Sequence, residues 1–277
     1  MSLAPRLPAH GAEIPAIGFG TSRTSGEITA EHVATALRCG YRHIDTARKY
    51  GTERAVGEGM RASGVPRGEI FLCTKVSHEN LHTADFARSV DDSLKALGVD
   101  YVDLLLVHWP EKNTPLAETM GALAKAKRRG LTRHIGVANF NIALLDEAIR
   151  FSPEPLVTLQ AECHPYLDQT KLIAACRERG LVLTAYCPLS RGRLQGDPVL
   201  TEIGKRKGKT FAQVALRWLI QQGVIAAIPR SSNPERVAQN IDVFDFALDE
   251  ADMRRIGALK RADGRTADPI GRAPKWD

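Results

Sequence analysis

Short apolar runs alternate along most of this chain with longer segments in which apolar residues recur at helical spacing. The short runs are rich in β-branched and aliphatic residues, which favours strands. They cover residues 17–20, 41–45, 70–75, 102–108, 134–137, 157–160, 182–186 and 224–228. Helical spacing is seen, among other places, over residues 30–38, 84–97, 116–129, 142–150, 170–179 and 210–222. Eight strand–helix units in about 250 residues predict an α/β fold of the (β/α)8 (TIM) barrel type.

Two terminal segments complete the predicted architecture. Residues 7–14, with His10 and Gly11 at their centre, predict an N-terminal hairpin at the bottom of the barrel. Residues 261–277 contain two glycines and two prolines and are expected to form a C-terminal loop over the active-site mouth. A doubly wound sheet in two domains is the alternative, but it requires a linker or a composition break near the middle, and the sequence shows neither. We therefore predict one barrel domain over residues 1–277.

Composition and charge narrow the class of protein. The chain is 43% hydrophobic and 25% charged, as in ordinary globular proteins. Its five cysteines have neither C-x-x-C spacing nor histidines at ligand spacing, which predicts reduced thiols and no metal site. The net charge of +6 favours an anionic small molecule. The basic runs at 125–129 and 205–209 lack interleaved aromatic residues, which argues against nucleic-acid binding. No apolar run is long enough for a signal peptide or a membrane span. We expect a cytoplasmic monomer without nucleic-acid or membrane partners.

Polar residues end several of the predicted strands. Asp45, Lys75 and His108 end the second, third and fourth strands. The carboxyl ends of parallel barrel strands project into one cavity, where an unpaired charge is costly, so we predict an ion pair between Asp45 and Lys75. Tyr50 follows in a loop that can fold over the mouth. We expect Lys75 to lower the pKa of this phenol below its usual value of about 10.

These four side chains suit the reduction of a carbonyl group. The reaction requires a hydride for the carbon and a proton for the oxygen. Tyr50 is the predicted proton donor, and Lys75, held by Asp45, is predicted to tune it. His108 is expected to donate a hydrogen bond to the substrate oxygen and to orient it.

Six separate motifs, in the same order along the chain, resemble those of the aldo-keto reductase family. They are GYRHIDTA at 40–47, YGTE at 50–53, LLLVHWP at 104–110, IGVANF at 135–140, IPRSSNPER at 228–236 and VFDF at 243–246. The resemblance extends from residue 14 to residue 248 and includes compact bacterial members such as 2,5-diketo-gluconate reductases. It implies Asp45, Tyr50, Lys75 and His108 as the catalytic set. It also implies an extended NADPH bound without a G-x-G-x-x-G motif, which this sequence lacks after its strands.

The resemblance further implies a cofactor site. Asn139 and Gln160 would bind the nicotinamide carboxamide, and Tyr186 would stack on the ring. Arg230 and Arg236 flank a helix start whose amide groups favour a phosphate, which points to NADPH rather than NADH. The implied cofactor residues are Ala138, Asn139, Gln160, Tyr186, Leu189, Arg230, Ser231, Ser232, Arg236, Gln239 and Asn240.

Simpler interpretations of the same residues exist. Asn139 could cap the helix that begins near Asn141, and the segment from Arg230 to Arg236 could be an ordinary helix start. Three residues also depart from the family pattern. Ala138 stands in place of a serine, which removes a hydrogen bond to the carboxamide; Arg230 replaces a lysine and Gln239 a glutamate. These changes affect cofactor affinity and the NADPH preference more than the cofactor class.

The expected substrate is a small-molecule carbonyl compound whose identity the sequence does not specify. Its pocket is expected within loops 22–24, 77–81 and 109–113 and the C-terminal tail. The predicted substrate residues are Ser22, Ser77, Trp109 and Trp276. Many relatives carry a tryptophan at the position of Ser77, so this pocket is expected to be wider or more polar there.

Two other functions use some of the same residues. Lys75 could be the Schiff-base lysine of a barrel aldolase, but Tyr50, Tyr186 and the segment 230–236 would then have no purpose. A regulatory protein that binds NADPH without turnover, like the potassium-channel β subunits of this family, is the other alternative, and the complete catalytic set counts against it. A P-loop-like stretch at 204–210 has the wrong glycine spacing and no preceding strand, so it is rejected.

Overall fold

The computed structural model describes residues 4–22 and 27–277. A hairpin of β1 (Arg6–Ala9) and β2 (Ala12–Pro15) precedes a parallel sheet of eight strands. These strands are β3 (Phe19–Gly20), β4 (His43–Asp45), β5 (Phe71–Val76), β6 (Val102–Val107), β7 (Thr132–Ala138), β8 (Leu156–Glu162), β9 (Val182–Tyr186) and β10 (Ile225–Ala227). They neighbour one another in chain order, and Ile17 forms a parallel bridge to Ala227. The first and last strands therefore meet, and the sheet closes into a barrel.

Helices alternate with these strands, as a parallel barrel requires. Those in the described part of the chain are α1 (Ala30–Arg38), α2 (Glu53–Ser63), α3 (Thr83–Leu97), α4 (Leu116–Arg128), α5 (Ile142–Phe151), α6 (Thr170–Glu178), α7 (Pro198–Lys207), α8 (Phe211–Ile220), α9 (Pro234–Ile241) and α10 (Glu250–Gly257). The predicted (β/α)8 barrel is confirmed, and the alternative of a doubly wound sheet is wrong.

Side-chain caps fix where several helices begin. The Thr210 hydroxyl accepts from the Gln213 backbone amide at 3.2 Å, and the Gln213 side chain accepts in return from the Thr210 amide at 2.9 Å. This reciprocal pair satisfies two amides that the first turn of α8 would otherwise leave without partners. Asn233 caps α9 by accepting from the Arg236 amide at 3.0 Å, and Pro234 occupies the first helical position, so a helix does begin between Arg230 and Arg236, as predicted.

The N-terminal hairpin closes the bottom of the barrel, as predicted. His10 and Gly11 both have positive φ, at 45° and 86°, which suits a two-residue turn between antiparallel strands. Ala9, Ala12 and Ile14 are buried, in one cluster with apolar residues from all six strands from β5 to β10. The loops at the carboxyl ends of the strands form the opposite face.

Four helices, α2, α7, α9 and α10, lie outside the segments predicted from helical spacing. One is α2, whose sequence contains Gly57 and Gly59 and therefore has a weak intrinsic helix propensity. The structure explains these glycines, because a Cβ at Gly57 would lie 2.0 Å from the Leu97 carbonyl oxygen, and one at Gly59 would lie 2.4 Å from that of Ala30. Close packing of α2 against its neighbours therefore excludes side chains at both positions. Another is α10, which is short and strongly polar.

Regular secondary structure ends at α10, and the tail of residues 261–277 forms turns and loops, as predicted. Within residues 4–22 and 27–277, none of the helices has both the length and the apolar character that crossing a membrane requires.

Candidate active site

The predicted ion pair is present at the carboxyl ends of β4 and β5. Lys75 Nζ donates to Asp45 Oδ1 at 2.6 Å and to the Thr46 carbonyl oxygen at 2.8 Å, with 0% and 3% of the Lys75 and Asp45 side chains exposed. Burial lowers the pKa of Lys75, but Asp45 and Tyr50 more than offset this, and the pKa lies above its ordinary value. Gln160 Nε2 donates to the other carboxylate oxygen of Asp45 at 2.8 Å. The lysine is therefore held as an ammonium ion.

Tyr50 lies beside this pair because a short turn follows β4. Residues Arg48–Tyr50 form one turn of 3-10 helix, and Gly51 ends it in the left-handed region at φ 66°. The Tyr50 ring centroid is 5.2 Å from Lys75 Nζ and 5.5 Å from the centroid of the His108 ring, which it meets edge-on at 82°. The phenol, the ammonium ion and the imidazole thus converge at the barrel mouth.

The acidity of Tyr50 differs from the sequence-based expectation. Burial raises the pKa of this phenol to about 12, although Lys75 lowers it. The expectation that Lys75 would bring this pKa below the usual value is therefore wrong for this structure. Burial disfavours the phenolate by more than Lys75 favours it, and the nearby carboxylate of Asp45 raises the pKa further. Tyr50 carries its proton at neutral pH.

His108, directly after β6, is neutral. Burial, followed by the positive charges of Lys75 and Arg272, places its pKa well below the usual value. A neutral imidazole has one N–H donor, and which ring nitrogen carries it depends on the tautomer. The imidazole can therefore donate to an oxygen placed beside Tyr50, provided that the tautomer presents its N–H there.

The residues assigned to the nicotinamide end lie on the neighbouring strands β7, β8 and β9. Asn139 Nδ2 donates to the His108 carbonyl oxygen at 2.9 Å, and Asn139 Oδ1 accepts from the Tyr186 hydroxyl at 2.7 Å. Asn141 caps α5 by accepting from the Leu144 amide at 2.8 Å, so the alternative that Asn139 caps this helix is wrong. The amide nitrogens of Asn139 and Gln160 each have a second N–H that can donate a hydrogen bond to a ligand.

Two further residues of the predicted cofactor set lie close to these strand ends. Ala138 ends β7 and is fully buried, and Leu189 is half-buried three residues beyond β9. A methyl group at Ala138 offers no hydrogen bond, so any carboxamide bound here depends on the neighbouring side-chain amides.

The residues assigned to the phosphate lie at the start of α9. Ser231 Oγ accepts from the Asn233 amide at 3.1 Å. Ser232 and Arg236 are exposed, whereas Arg230 is half-buried and burial lowers the pKa of its guanidinium. The remaining two predicted residues are Gln239, which is exposed, and Asn240, which is buried. Exposed donors at a helix start are compatible both with phosphate binding and with an ordinary helix start.

The predicted substrate residues are only partly brought together. The rings of Trp109 and Trp276 meet at a centroid distance of 6.3 Å and an angle of 67°, which places the end of the tail beside the loop that follows His108. Ser77 is buried and donates from its hydroxyl to Glu79 at 3.0 Å. Ser22 is half-buried, while positions 23 and 24 of the same predicted loop lie outside the described residues.

One residue that sequence reasoning missed connects the turn of Tyr50 to the strand of Lys75. Glu53 is 2% exposed, accepts from the Thr74 hydroxyl at 2.7 Å and lies 3.3 Å from Arg48 Nη1. A glutamate in the first turn of a helix is common on protein surfaces, so the sequence contained no indication that this one is buried.

Comparisons with known proteins agree with the fold. The Aldo/keto reductase family profile matches residues 16–261. Methylglyoxal reductase DkgB of Escherichia coli O157:H7 is 41% identical over 267 residues, which cover 95% of this chain and 99% of that protein. A crystal structure assigned as a 2,5-diketo-D-gluconic acid reductase B has a TM-score of 0.95 at 45% identity and covers 99% of this chain and 98% of its own. The Bombyx mori aldo-keto reductase, solved in complex with NADP, has a TM-score of 0.90 at 34% identity, with 98% and 96% covered. The chain is therefore an oxidoreductase of the aldo/keto reductase family.

Proposed function

We propose that this protein reduces aldehyde or ketone groups of small molecules to alcohols, with NADPH as the hydride donor and Tyr50 as the proton donor. The observation that carries the proposal is the convergence of three groups: the Tyr50 ring lies 5.2 Å from Lys75 Nζ and 5.5 Å from the His108 ring. A carbonyl oxygen placed there would lie beside a proton donor and a hydrogen-bond donor.

Each of these side chains has a distinct part in the proposed mechanism. NADPH, when bound, supplies the hydride that the carbonyl carbon accepts. Neutral His108 donates an N–H to the carbonyl oxygen and thereby fixes its direction. Tyr50 transfers its proton to that oxygen, and the ammonium ion of Lys75 stabilises the phenolate that remains. Asp45 keeps Lys75 charged, so its role is to maintain the electrostatics rather than to move a proton.

The state of Lys75 also argues against the aldolase alternative. A Schiff-base lysine has to lose its proton before its nitrogen can attack a carbonyl carbon, and such lysines have lowered pKa values. The pKa of Lys75 is instead raised, and its nitrogen donates to Asp45 and to the Thr46 carbonyl oxygen. This geometry favours a cation that stabilises negative charge.

The chain offers donors suited to each end of NADPH. The side-chain amides of Asn139 and Gln160 fit a carboxamide, and the half-buried ring of Tyr186 fits stacking on the nicotinamide. At the other end, the guanidinium groups of Arg230 and Arg236 suit a phosphate on the adenosine ribose, which favours NADPH over NADH. The NADP complex of the Bombyx mori relative supports this assignment.

The proposal is tested by following NADPH absorbance with a panel of aldehydes, diketones and keto-sugars. Methylglyoxal is the first choice, since the Escherichia coli relative is named a methylglyoxal reductase. We expect turnover by the wild type and a loss of about 10²- to 10⁴-fold in the Tyr50→Phe variant, the usual contribution of a general acid. Tight NADPH binding without turnover of any carbonyl would favour the sensor alternative, and borohydride trapping of a substrate on Lys75 would favour the aldolase.

A further inference from the structure

Proton transfer from Tyr50 depends on where its hydroxyl points. The ring centroid lies 5.2 Å from Lys75 Nζ and 5.5 Å from the centroid of the His108 ring. Both contacts involve the ring, so the direction of the hydroxyl depends on how the turn Arg48–Tyr50 is held. Gly51 follows this turn at a φ of 66°, in a region where glycine moves more freely than other residues. A contact with a rigid neighbour is therefore needed to hold the turn.

Glu53, the first residue of α2, supplies a contact of this kind. Its side chain is 2% exposed, and its carboxylate accepts from the Thr74 hydroxyl at 2.7 Å and from Arg48 Nη1 at 3.3 Å. Arg48 begins the turn of Tyr50, and Thr74 directly precedes Lys75 in β5. The carboxylate therefore connects the turn that carries the proton donor to the strand that carries the ammonium ion.

This connection lies behind β5 as seen from the reacting groups. Successive residues of a strand point to opposite faces of the sheet. Lys75 points into the cavity, so Thr74 points toward the surrounding helices, where its hydroxyl meets the first turn of α2. An effect of Glu53 on the reaction therefore has to pass through the residues that it holds.

Buried hydroxyl groups hold the two ends of the same segment. Thr52 Oγ1 lies 3.1 Å from Thr46 Oγ1 and 3.3 Å from Thr21 Oγ1, and all three residues are at most 2% exposed. The Thr21 hydroxyl donates to the Asp45 carbonyl oxygen at 3.0 Å. These contacts fix the chain before and after the turn, whereas the contact between Glu53 and Arg48 reaches into the turn itself.

Stability alone does not explain a carboxylate at this place. A buried carboxylate is costly unless donors and a positive charge compensate it, and here Arg48 brings the charge. An apolar side chain of similar volume is often as stable or more stable at such a position. What an apolar side chain cannot do is bind a guanidinium on one side and a hydroxyl on the other, and so fix the orientation of the turn.

We propose that Glu53 is a positioning residue for proton transfer, which holds the turn of Tyr50 against the strand of Lys75. The inference rests on the proposed function and adds a residue to it. Displacement of a reacting group by about 1 Å can lower a rate about 100-fold, so loosening this contact should slow the reaction. NADPH binding should not change, because the residues assigned to the nicotinamide lie on β7, β8 and β9.

The test measures hydride transfer in single turnovers of NADPH-loaded enzyme with methylglyoxal, with Glu53→Gln introduced into the wild type and into Tyr50→Phe. This substitution keeps the size of the side chain and an acceptor for Thr74, but replaces the oxygen that faces Arg48 with an N–H donor. We expect a loss of about 10-fold or more in the wild type. In Tyr50→Phe we expect no further loss, since no phenol remains to be positioned. A general structural defect would lower both rates by the same factor.

Two further variants complete the experiment. Arg48→Gln removes the other side of the contact at a side chain that is 39% exposed, so the fold should tolerate it. It should slow hydride transfer to a similar extent, and the double variant Glu53→Gln/Arg48→Gln should be no slower than the slower single variant. The control is Glu58→Gln, which neutralises an exposed carboxylate on the same helix and should leave the rate unchanged.

The outcomes separate this inference from the proposed function. If Tyr50→Phe transfers hydride at the wild-type rate, the proposed function fails together with the inference. If Tyr50→Phe is slow but Glu53→Gln keeps the wild-type rate, the proposed function stands and the positioning role is refuted. Equal losses from Glu53→Gln in both backgrounds would also overturn this role, because the effect would not pass through Tyr50. If Glu53→Gln does not fold, Arg48→Gln in the same two backgrounds decides between these outcomes.

Discussion

Removal of one partner of the buried ion pair should destabilise the fold strongly. Asp45→Asn removes the negative charge that compensates the Lys75 ammonium ion, whose side chain is 0% exposed, and leaves it neutral acceptors such as the Thr46 carbonyl oxygen at 2.8 Å. Breaking a buried pair in this way costs about 3–5 kcal/mol, because the remaining charge is no longer compensated. Lys75→Met should cost a similar amount, since it leaves the Asp45 carboxylate with the Gln160 amide.

The assay is urea unfolding at pH 7 of the wild type, both single variants and the double variant Asp45→Asn/Lys75→Met. Fluorescence and circular dichroism should give coincident transitions, which justifies a two-state treatment. We expect the double variant to lose less than the sum of the single losses, with a coupling of about 1–3 kcal/mol. The exposed Lys49–Glu79 pair, at 2.8 Å with 49% and 53% of the side chains exposed, is the matched control. Lys49→Met should cost less than about 1 kcal/mol. Additive losses, or single losses as small as that of the control, would refute the reasoning.

Three further predictions concern single side chains. Although burial raises the pKa of Glu162, hydrogen bonds from His164, Thr266 and Ala267 lower it from 4.5 to about 2 in the folded chain. The stability that its ionised carboxylate contributes is therefore complete above the unfolded-state pKa of 4.5 and is lost as the pH falls through 2. Between pH 5 and pH 2, the free energy of unfolding measured in urea should therefore fall by about 3 kcal/mol more for the wild type than for Glu162→Gln. Parallel curves of this free energy against pH for the two proteins would contradict the prediction. Because the pKa of Tyr50 is about 12, the ultraviolet difference spectrum between the wild type and Tyr50→Phe should show no phenolate below pH 10. A phenolate signal of Tyr50 with a midpoint near pH 8 would contradict this raised pKa. Arg236→Ala should weaken NADPH binding about 10-fold and leave NADH binding unchanged, whereas equal losses would remove Arg236 from the phosphate site.

The barrel and the convergence of its strand ends were predictable because both follow from local periodicity. Asp45, Lys75 and His108 each end an apolar run, and a parallel barrel brings such positions to one face whatever the detailed packing. The pairing of Asp45 with Lys75 follows from the cost of an isolated buried charge. These predictions needed only the order of the elements, not the contacts between them.

The pKa of Tyr50 and the attachment of the tail to the barrel could not be predicted in the same way. The pKa depends on how completely the phenol is removed from water, which the position of Tyr50 in the chain does not reveal. Similarly, the bonds from Thr266 to Glu162 join residues more than one hundred positions apart in the sequence. The tail's glycines and prolines predict a loop, but they do not indicate that the Glu162 carboxylate at the end of β8 binds its backbone amides. Side chains whose environment is set by long-range contacts therefore remain beyond this kind of sequence analysis.

The central claim, that Tyr50 gives its proton to a carbonyl oxygen while NADPH supplies the hydride, is tested most directly by a single-turnover experiment. Enzyme preloaded with NADPH is mixed with methylglyoxal in a stopped-flow instrument, and the absorbance of NADPH is followed for the wild type and for Tyr50→Phe. We expect the same affinity for NADPH in both proteins and a hydride-transfer rate at least about 100-fold lower in the variant. Equal hydride-transfer rates in the two proteins would contradict it.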